Sequence, residues 1–104
     1  MPAYSITEVE TVDQDQAAKY VRLARSAVSR YGGRYLALAA TPVAAEGPWP
    51  TGQRLVIIEF PDMDRLKDWY DSPEYAPARV LAKTALRRRL LFVDGGEPIP
   101  PRSD

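Results

Sequence analysis

Apolar and polar positions along the chain fall into runs of two different periods. Residues 3–10, AYSITEVE, alternate as a strand does, with Tyr4, Ile6 and Glu8 on one face and Val9 on the other. Asp13 then stands where a helix N-cap would, with Gln16 three residues on as its capping-box partner. From there Ala17, Tyr20, Val21, Ala24, Val28 and Tyr31 recur at steps of three and four, one apolar stripe of a helix. Gly32-Gly33 ends it, because glycine accepts the left-handed conformation of a C-terminal cap.

RYLALAA, 34–40, reads as a second strand, and the proline-flanked Trp49 marks a long connection after it. Residues 43–46 can extend strand pairing before the turn. RLVIIEF, 54–60, is β-branched and almost wholly apolar, so a central strand is expected, with Glu59 as its exception. Asp62 caps a short helix carrying Met63, Leu66, Trp69 and Tyr70. The stretch DWYDSPEY then breaks it: Ser72 precedes a proline and is pushed out of helical geometry. Ser72 can also cap the following helix, with Pro73 at its first position, a restart near Pro77, and Ala78, Leu81, Ala82 and Ala85 as the buried stripe. LLFVD, 90–94, is the last strand. Residues 1–96 form one domain, and 97–104 are a Pro-rich C-terminal tail.

The order strand, helix, strand, strand, helix, strand is that of a ferredoxin-like βαββαβ protomer, an α+β fold with an antiparallel sheet and helices on one face. The other face needs a cover, and a second copy of the same sheet is the obvious one. In this order the first and third strands are expected to be neighbours running parallel, with Glu8 and Glu59 near their C-terminal ends.

Composition narrows the chemistry. Fourteen basic and fourteen acidic residues cancel, which removes the overall pull expected of a nucleic-acid or anionic-membrane binder. The chain has no cysteine and no histidine. Thiolate chemistry, disulfides and the usual zinc and haem ligands are therefore excluded. Acid–base work falls to Asp, Glu, Tyr, Lys or a borrowed cofactor. No signal-peptide pattern opens the sequence, and no apolar run reaches the roughly 20 residues that span a bilayer. A cytoplasmic protein with no metal and no cofactor is expected.

The stretches AYSITEVE, YGGRYL, EGPWPTGQRLVIIEFPDMD, WYDSPEY and LLFVDGG, in that order, resemble a bacterial family of unknown function in the dimeric α/β-barrel superfamily. The resemblance covers about residues 3 to 96. It implies a ferredoxin-like protomer whose sheet pairs with its twin's into a barrel, hence a homodimer. Relatives in the wider superfamily include cofactor-independent monooxygenases, lactone isomerases, haem enzymes and effector-binding domains, so one fold hosts several functions. Family members often carry a basic residue after the Leu of the last helix. This chain has Ala82 there, with Lys83 next and Arg79 one turn earlier.

Two groups of residues can carry chemistry. Glu59 and Glu8 are the catalytic candidates, since a carboxylate among apolar neighbours is raised toward the range of a useful acid or base. The plainer alternative for each is an ion pair with an arginine, such as Arg34 or Arg54 for Glu59. The aromatics Tyr4, Tyr20, Tyr31, Tyr35, Trp69, Tyr70 and Tyr75 can line a pocket for a flat organic molecule, Tyr70, Tyr75, Tyr4 and Trp69 foremost, with Arg79 as partner for a ligand carboxylate. The alternative is that the aromatics fill the core, as expected for Trp69 and Tyr20. Arg87-Arg88-Arg89 follows Arg79 and Lys83 at helical spacing and can read as a phosphate or nucleic-acid patch, which the zero net charge disfavours; the run is expected instead at the C-terminal end of the last helix, facing its dipole. The resulting expectation is a homodimer binding a small hydrophobic or aromatic carbonyl metabolite. As an enzyme it would be a cofactor-independent isomerase, cyclase or monooxygenase; the alternative is a non-catalytic ligand-binding or assembly module.

Overall fold

The computed structural model describes residues 1–95. The Pro-rich tail expected at 97–104 and the domain edge at 96 lie outside the described residues. The elements run β1 (Ala3–Thr11), α1 (Gln14–Arg30), β2 (Arg34–Ala40), β3 (Arg54–Phe60), α2 (Met63–Tyr70), α3 (Ala76–Ala85) and β4 (Leu86–Asp94). The four strands form one sheet in the order β2-β3-β1-β4, and every neighbouring pair is antiparallel. This is the ferredoxin-like α+β arrangement.

One detail corrects the sequence reading. β1 and β3 are neighbours but antiparallel, with Ile6 opposite Ile57. The crossover through α1 makes β2 run parallel to β1, and the connection to β3 reverses the chain before it inserts between them. Glu8 lies opposite Leu55 and Glu59 opposite Tyr4. The two carboxylates therefore stand at opposite ends of the strand pair, four residues apart along β1, or about 13 Å at the usual strand rise.

The helices form where their caps allow. Asp13 accepts a hydrogen bond from the Gln16 amide at 3.0 Å and starts α1; Asp62 accepts one from the Arg65 amide at 2.8 Å and starts α2. The amides of Val12 and Asp13 donate to the Ala85 carbonyl, joining the start of α1 to the end of α3. Ala24, Ala27 and Val28 of α1 and Ala78, Ala82 and Ala85 of α3 are buried, and their small side chains let these helices approach each other and the sheet. Between sheet and helices the core centres on Phe60, Leu66, Trp69 and Tyr75.

The Ser-Pro break is built around Ser72. Its hydroxyl donates to the Trp69 carbonyl at 2.7 Å and accepts from the Tyr75 amide at 3.1 Å. The second helix begins later than expected, at Ala76, because residues 72–75 form a turn held by that hydroxyl. The turn carries Tyr75 into the core, where it is fully buried.

Gly33 is a point of close approach: a Cβ placed there would lie 2.7 Å from the Phe60 ring and 2.8 Å from Val28. Gly33→Ala should therefore destabilise the fold by about 1–3 kcal/mol through overpacking. Urea unfolding checks this, as a lowered midpoint with unchanged slope.

Candidate functional site

β4 begins at Leu86, four residues before the expected start, and this changes the meaning of the arginine run. The expectation that Arg87, Arg88 and Arg89 close the last helix is corrected: all three lie in a strand. Strand side chains alternate between faces, so the run must divide. Arg87 and Arg89 point to the open face and meet Glu10 and Glu8, their direct partners across β1. Arg88 points the other way, under the helices.

There its Nη1 donates to the hydroxyls of Tyr20 at 2.7 Å and Tyr75 at 3.0 Å, and its guanidinium lies 5.2 Å from the centre of the Tyr20 ring. The two hydroxyls are themselves 2.6 Å apart. No carboxylate pairs with Arg88 among the described residues. A partly buried cation thus rests on two neutral phenols.

Tyr20 and Arg88, with Tyr75 behind them and bonded to both, border a cavity of about 100 Å³ between α1 and the sheet, whose wall also includes Val21, Tyr35, Val56 and Trp69. A bulge helps to shape it: the β2–β3 register slips on both sides of Ala37, and Ala39, at the cavity wall, takes a left-handed φ of 51°. Trp69 is buried, and its indole N–H meets no acceptor among the described residues. Burial, followed by the neighbouring Tyr75, pushes the Tyr20 phenol far above its ordinary range; burial also pushes Tyr35 up to about 12. Both phenols are therefore neutral hydrogen-bonding groups at physiological pH and not bases.

The residues singled out from the sequence disperse. Trp69 lines the cavity, and Tyr75 reaches its edge through the hydroxyl shared with Tyr20 and Arg88. Tyr70 packs edge-on to Phe92 at 5.5 Å, with the Arg79 guanidinium 5.1 Å from its ring centre, and neither Tyr70 nor Arg79 is in the cavity wall. The Arg79 Nε is buried with no hydrogen-bond partner among the described residues.

Tyr4, Glu8 and Glu59 are on the open sheet face. Glu59 accepts from Arg34 at 2.7 Å, directly across β2 and β3. Glu8 accepts from Arg89, and that hydrogen bond holds its carboxyl below the usual carboxylate range. The structure does not bring Glu8 and Glu59 together, and neither lines the cavity under α1. Among the described residues no group of three acidic side chains could hold a metal ion, and no helix is long and apolar enough to cross a membrane.

The sequence reading counts Tyr20 and Tyr35 among the aromatics of a pocket wall, Tyr20 with core filling favoured; Arg88 is the residue that it does not place in such a site. The signal for Arg88 was present: Leu86, Arg88, Leu90 and Phe92 alternate with Arg87, Arg89, Leu91 and Val93.

Comparison with known proteins agrees with this architecture. A family model described as a domain of unknown function, DUF1330, matches residues 2–96. The chain belongs to the DUF1330 family. Among curated proteins none matches its sequence.

Solved structures similar to this DUF1330 member include a protein of unknown function from Rhodopseudomonas palustris, 18% identical, with a TM-score of 0.75 over 93% of this chain and 84% of that one. Another is SnoaB, a cofactor-independent oxygenase from Streptomyces nogalater, 10% identical, with a TM-score of 0.68 over 96% of this chain and 98% of that one. A dimeric ferredoxin-like protein of unknown function from Thermobifida fusca is 16% identical, with a TM-score of 0.56 over 90% of this chain and 91% of that one. At these identities the likeness is one of fold.

The raised phenols give a pH dependence with a definite sign. An unfolded tyrosine ionises near pH 10, whereas folded Tyr20 does not, so the native state binds more protons above that pH. The contribution is complete below about pH 10 and is lost as pH rises from there toward the folded value. Stability should fall between about pH 10 and 12, and less steeply in Tyr20→Phe. Urea unfolding at several alkaline pH values checks this, alongside phenolate absorbance in the native protein.

Proposed function

We propose that this chain is a homodimeric small-molecule-binding protein whose ligand occupies the cavity under α1. The observation that carries the reading is the junction of Arg88, Tyr20 and Tyr75 at the edge of an otherwise largely apolar cavity. A concave apolar wall with a few convergent polar groups is the ordinary design of a small-molecule site. The ligand class is a small hydrophobic or aromatic molecule: aromatic and aliphatic side chains supply the contact area, and the polar edge fixes one end.

The catalytic version of this reading is a cofactor-independent isomerase, cyclase or monooxygenase, and the fold shared with SnoaB supports it by analogy. It needs a group to accept the substrate proton. Glu59 and Glu8, the carboxylates proposed for that role, lie on the other side of the sheet in ion pairs, and among the described residues no carboxylate lines the cavity. Ligand binding is therefore the reading the geometry supports best. A pure assembly module would tie up the glutamates, as here, but would not gather polar groups at a cavity.

The dimer is supported by the open face. Ile57, Ile6 and Leu91 lie side by side across β3, β1 and β4, and Leu91 is 56% exposed. The Arg89–Glu8, Arg87–Glu10 and Arg34–Glu59 pairs lie on the same face around this apolar row. A second sheet laid on it would bury the row, and a neighbour of the same fold is described as dimeric.

Two outcomes test the proposal. Native mass spectrometry should show a dimer at micromolar concentration, and Leu91→Glu should convert it to monomer; a wild-type monomer contradicts the assembly. Glu59→Gln should leave the affinity for any cavity ligand within about twofold, since the carboxylate faces away from it. Calorimetric titration of the ligand recovered from the purified protein measures this, and a large loss would return Glu59 to the site.

A further inference from the structure

We infer that the cavity takes a carboxylate carried on a single planar ring, with Arg88 as its charged partner. This deepens the reading of the cavity as the ligand site and rests on it. Two observations converge on an anion.

The first is the hydrogen-bond inventory of Arg88. Both of its recorded bonds leave from Nη1, to Tyr20 and Tyr75. Nε and Nη2 make none among the described residues, and neither is a buried orphan. This Nε–Nη2 edge is the planar fork that matches the two oxygens of a carboxylate. The half-buried cation also has no acidic partner among the described residues, and a partly desolvated charge gains from one.

The second is the proton count of the two phenols. One hydroxyl donates to the other at 2.6 Å, and both accept from Arg88. One hydroxyl proton is left over. Tyr75 is fully buried and outside the cavity wall, whereas Tyr20 is in it. The arrangement that strands no buried proton has Tyr75 donating to Tyr20, and Tyr20 presenting its own proton to the cavity.

Trp69 also belongs to the cavity wall; its indole N–H has no acceptor among the described residues but no surface open to the cavity, so it serves as a reporter of the site and not as a ligand donor. The donors left over are the guanidinium edge and one phenol. A ligand that completes this set must supply acceptors and negative charge. The volume, about 100 Å³, limits the ligand to one ring at most, since an apolar cavity of roughly 150 Å³ holds benzene.

The test compares benzoate with benzamide, a neutral planar isostere. Both are titrated at pH 7 into the dimer while the indole N–H of Trp69 and the Nε–H of Arg88 are followed by NMR. Benzoate should bind at least about tenfold more tightly, the effect of a charge-assisted bond on a desolvated cation. Arg88→Met should abolish the preference while benzamide still shifts the Trp69 signal, and Arg88→Lys should retain part of it; thermal melting confirms that each variant folds.

Equal affinity for the two compounds, or a preference that survives Arg88→Met, overturns the anion assignment and leaves the cavity as a neutral ligand site. If neither compound moves the Trp69 signal, the cavity reading falls and the anion assignment with it.

Discussion

Three consecutive arginines in a strand cannot share an environment. The two-residue period of β4 sends Arg87 and Arg89 to one face of the sheet and Arg88 to the other, and the main features of the molecule answer that division. On the open side the glutamates of β1 stand directly opposite: Glu8 faces Arg89 and Glu10 faces Arg87. Such cross-strand pairs help to fix the register of the two strands. On the helix side none of the described residues offers Arg88 a carboxylate, and the guanidinium is received by the hydroxyls of Tyr20 and Tyr75. Tyr20 arrives from the middle of α1, and Tyr75 arrives because Ser72 turns the chain between α2 and α3. The helix break, the packing of Trp69 against Tyr75 at 4.3 Å and the cavity beside them are thus parts of one construction.

The two faces of the sheet divide the work. The open face presents Ile57, Ile6 and Leu91 among three ion pairs, an arrangement suited to a second copy of the sheet. The helix face encloses a small, mostly apolar space whose polar edge is rich in donors. Exposed ion pairs contribute little stability, so the pairs of Glu8, Glu10 and Glu59 are better understood as register and interface features than as a reactive centre. The same fold carries an oxygenase in SnoaB, which shows that this scaffold can house chemistry without showing that this chain performs it.

Much of the fold was legible because period and punctuation agreed. Asp13, Gly32-Gly33 and Asp62 marked helix ends that the structure keeps, and the run from Arg54 to Phe60 became the strand it resembles. What escaped was the direction of β3 relative to β1, which depends on the whole crossover and not on any local pattern. The start of β4 escaped for a different reason: Leu-Arg-Arg-Arg has helix-forming residues and follows a helix without a glycine or proline between. Tertiary pairing with Glu8 and Glu10 overrides that propensity. The site was missed with it, since Arg88 on a helix end would never meet Tyr20. The aromatics were legible as a group, but which of them face a cavity depends on the turn at Ser72 and the bulge near Ala37.

The claim on which the account depends is that Arg88, unlike its two neighbours, is held between sheet and helices by two phenols. Side-chain nitrogen NMR of the three arginines measures this most directly. The account predicts slow rotation and separate Nη signals for Arg88, together with averaged signals for Arg87 and Arg89, and the collapse of the Arg88 pattern in Tyr20→Phe/Tyr75→Phe. Three alike, freely averaging guanidinium groups would contradict it.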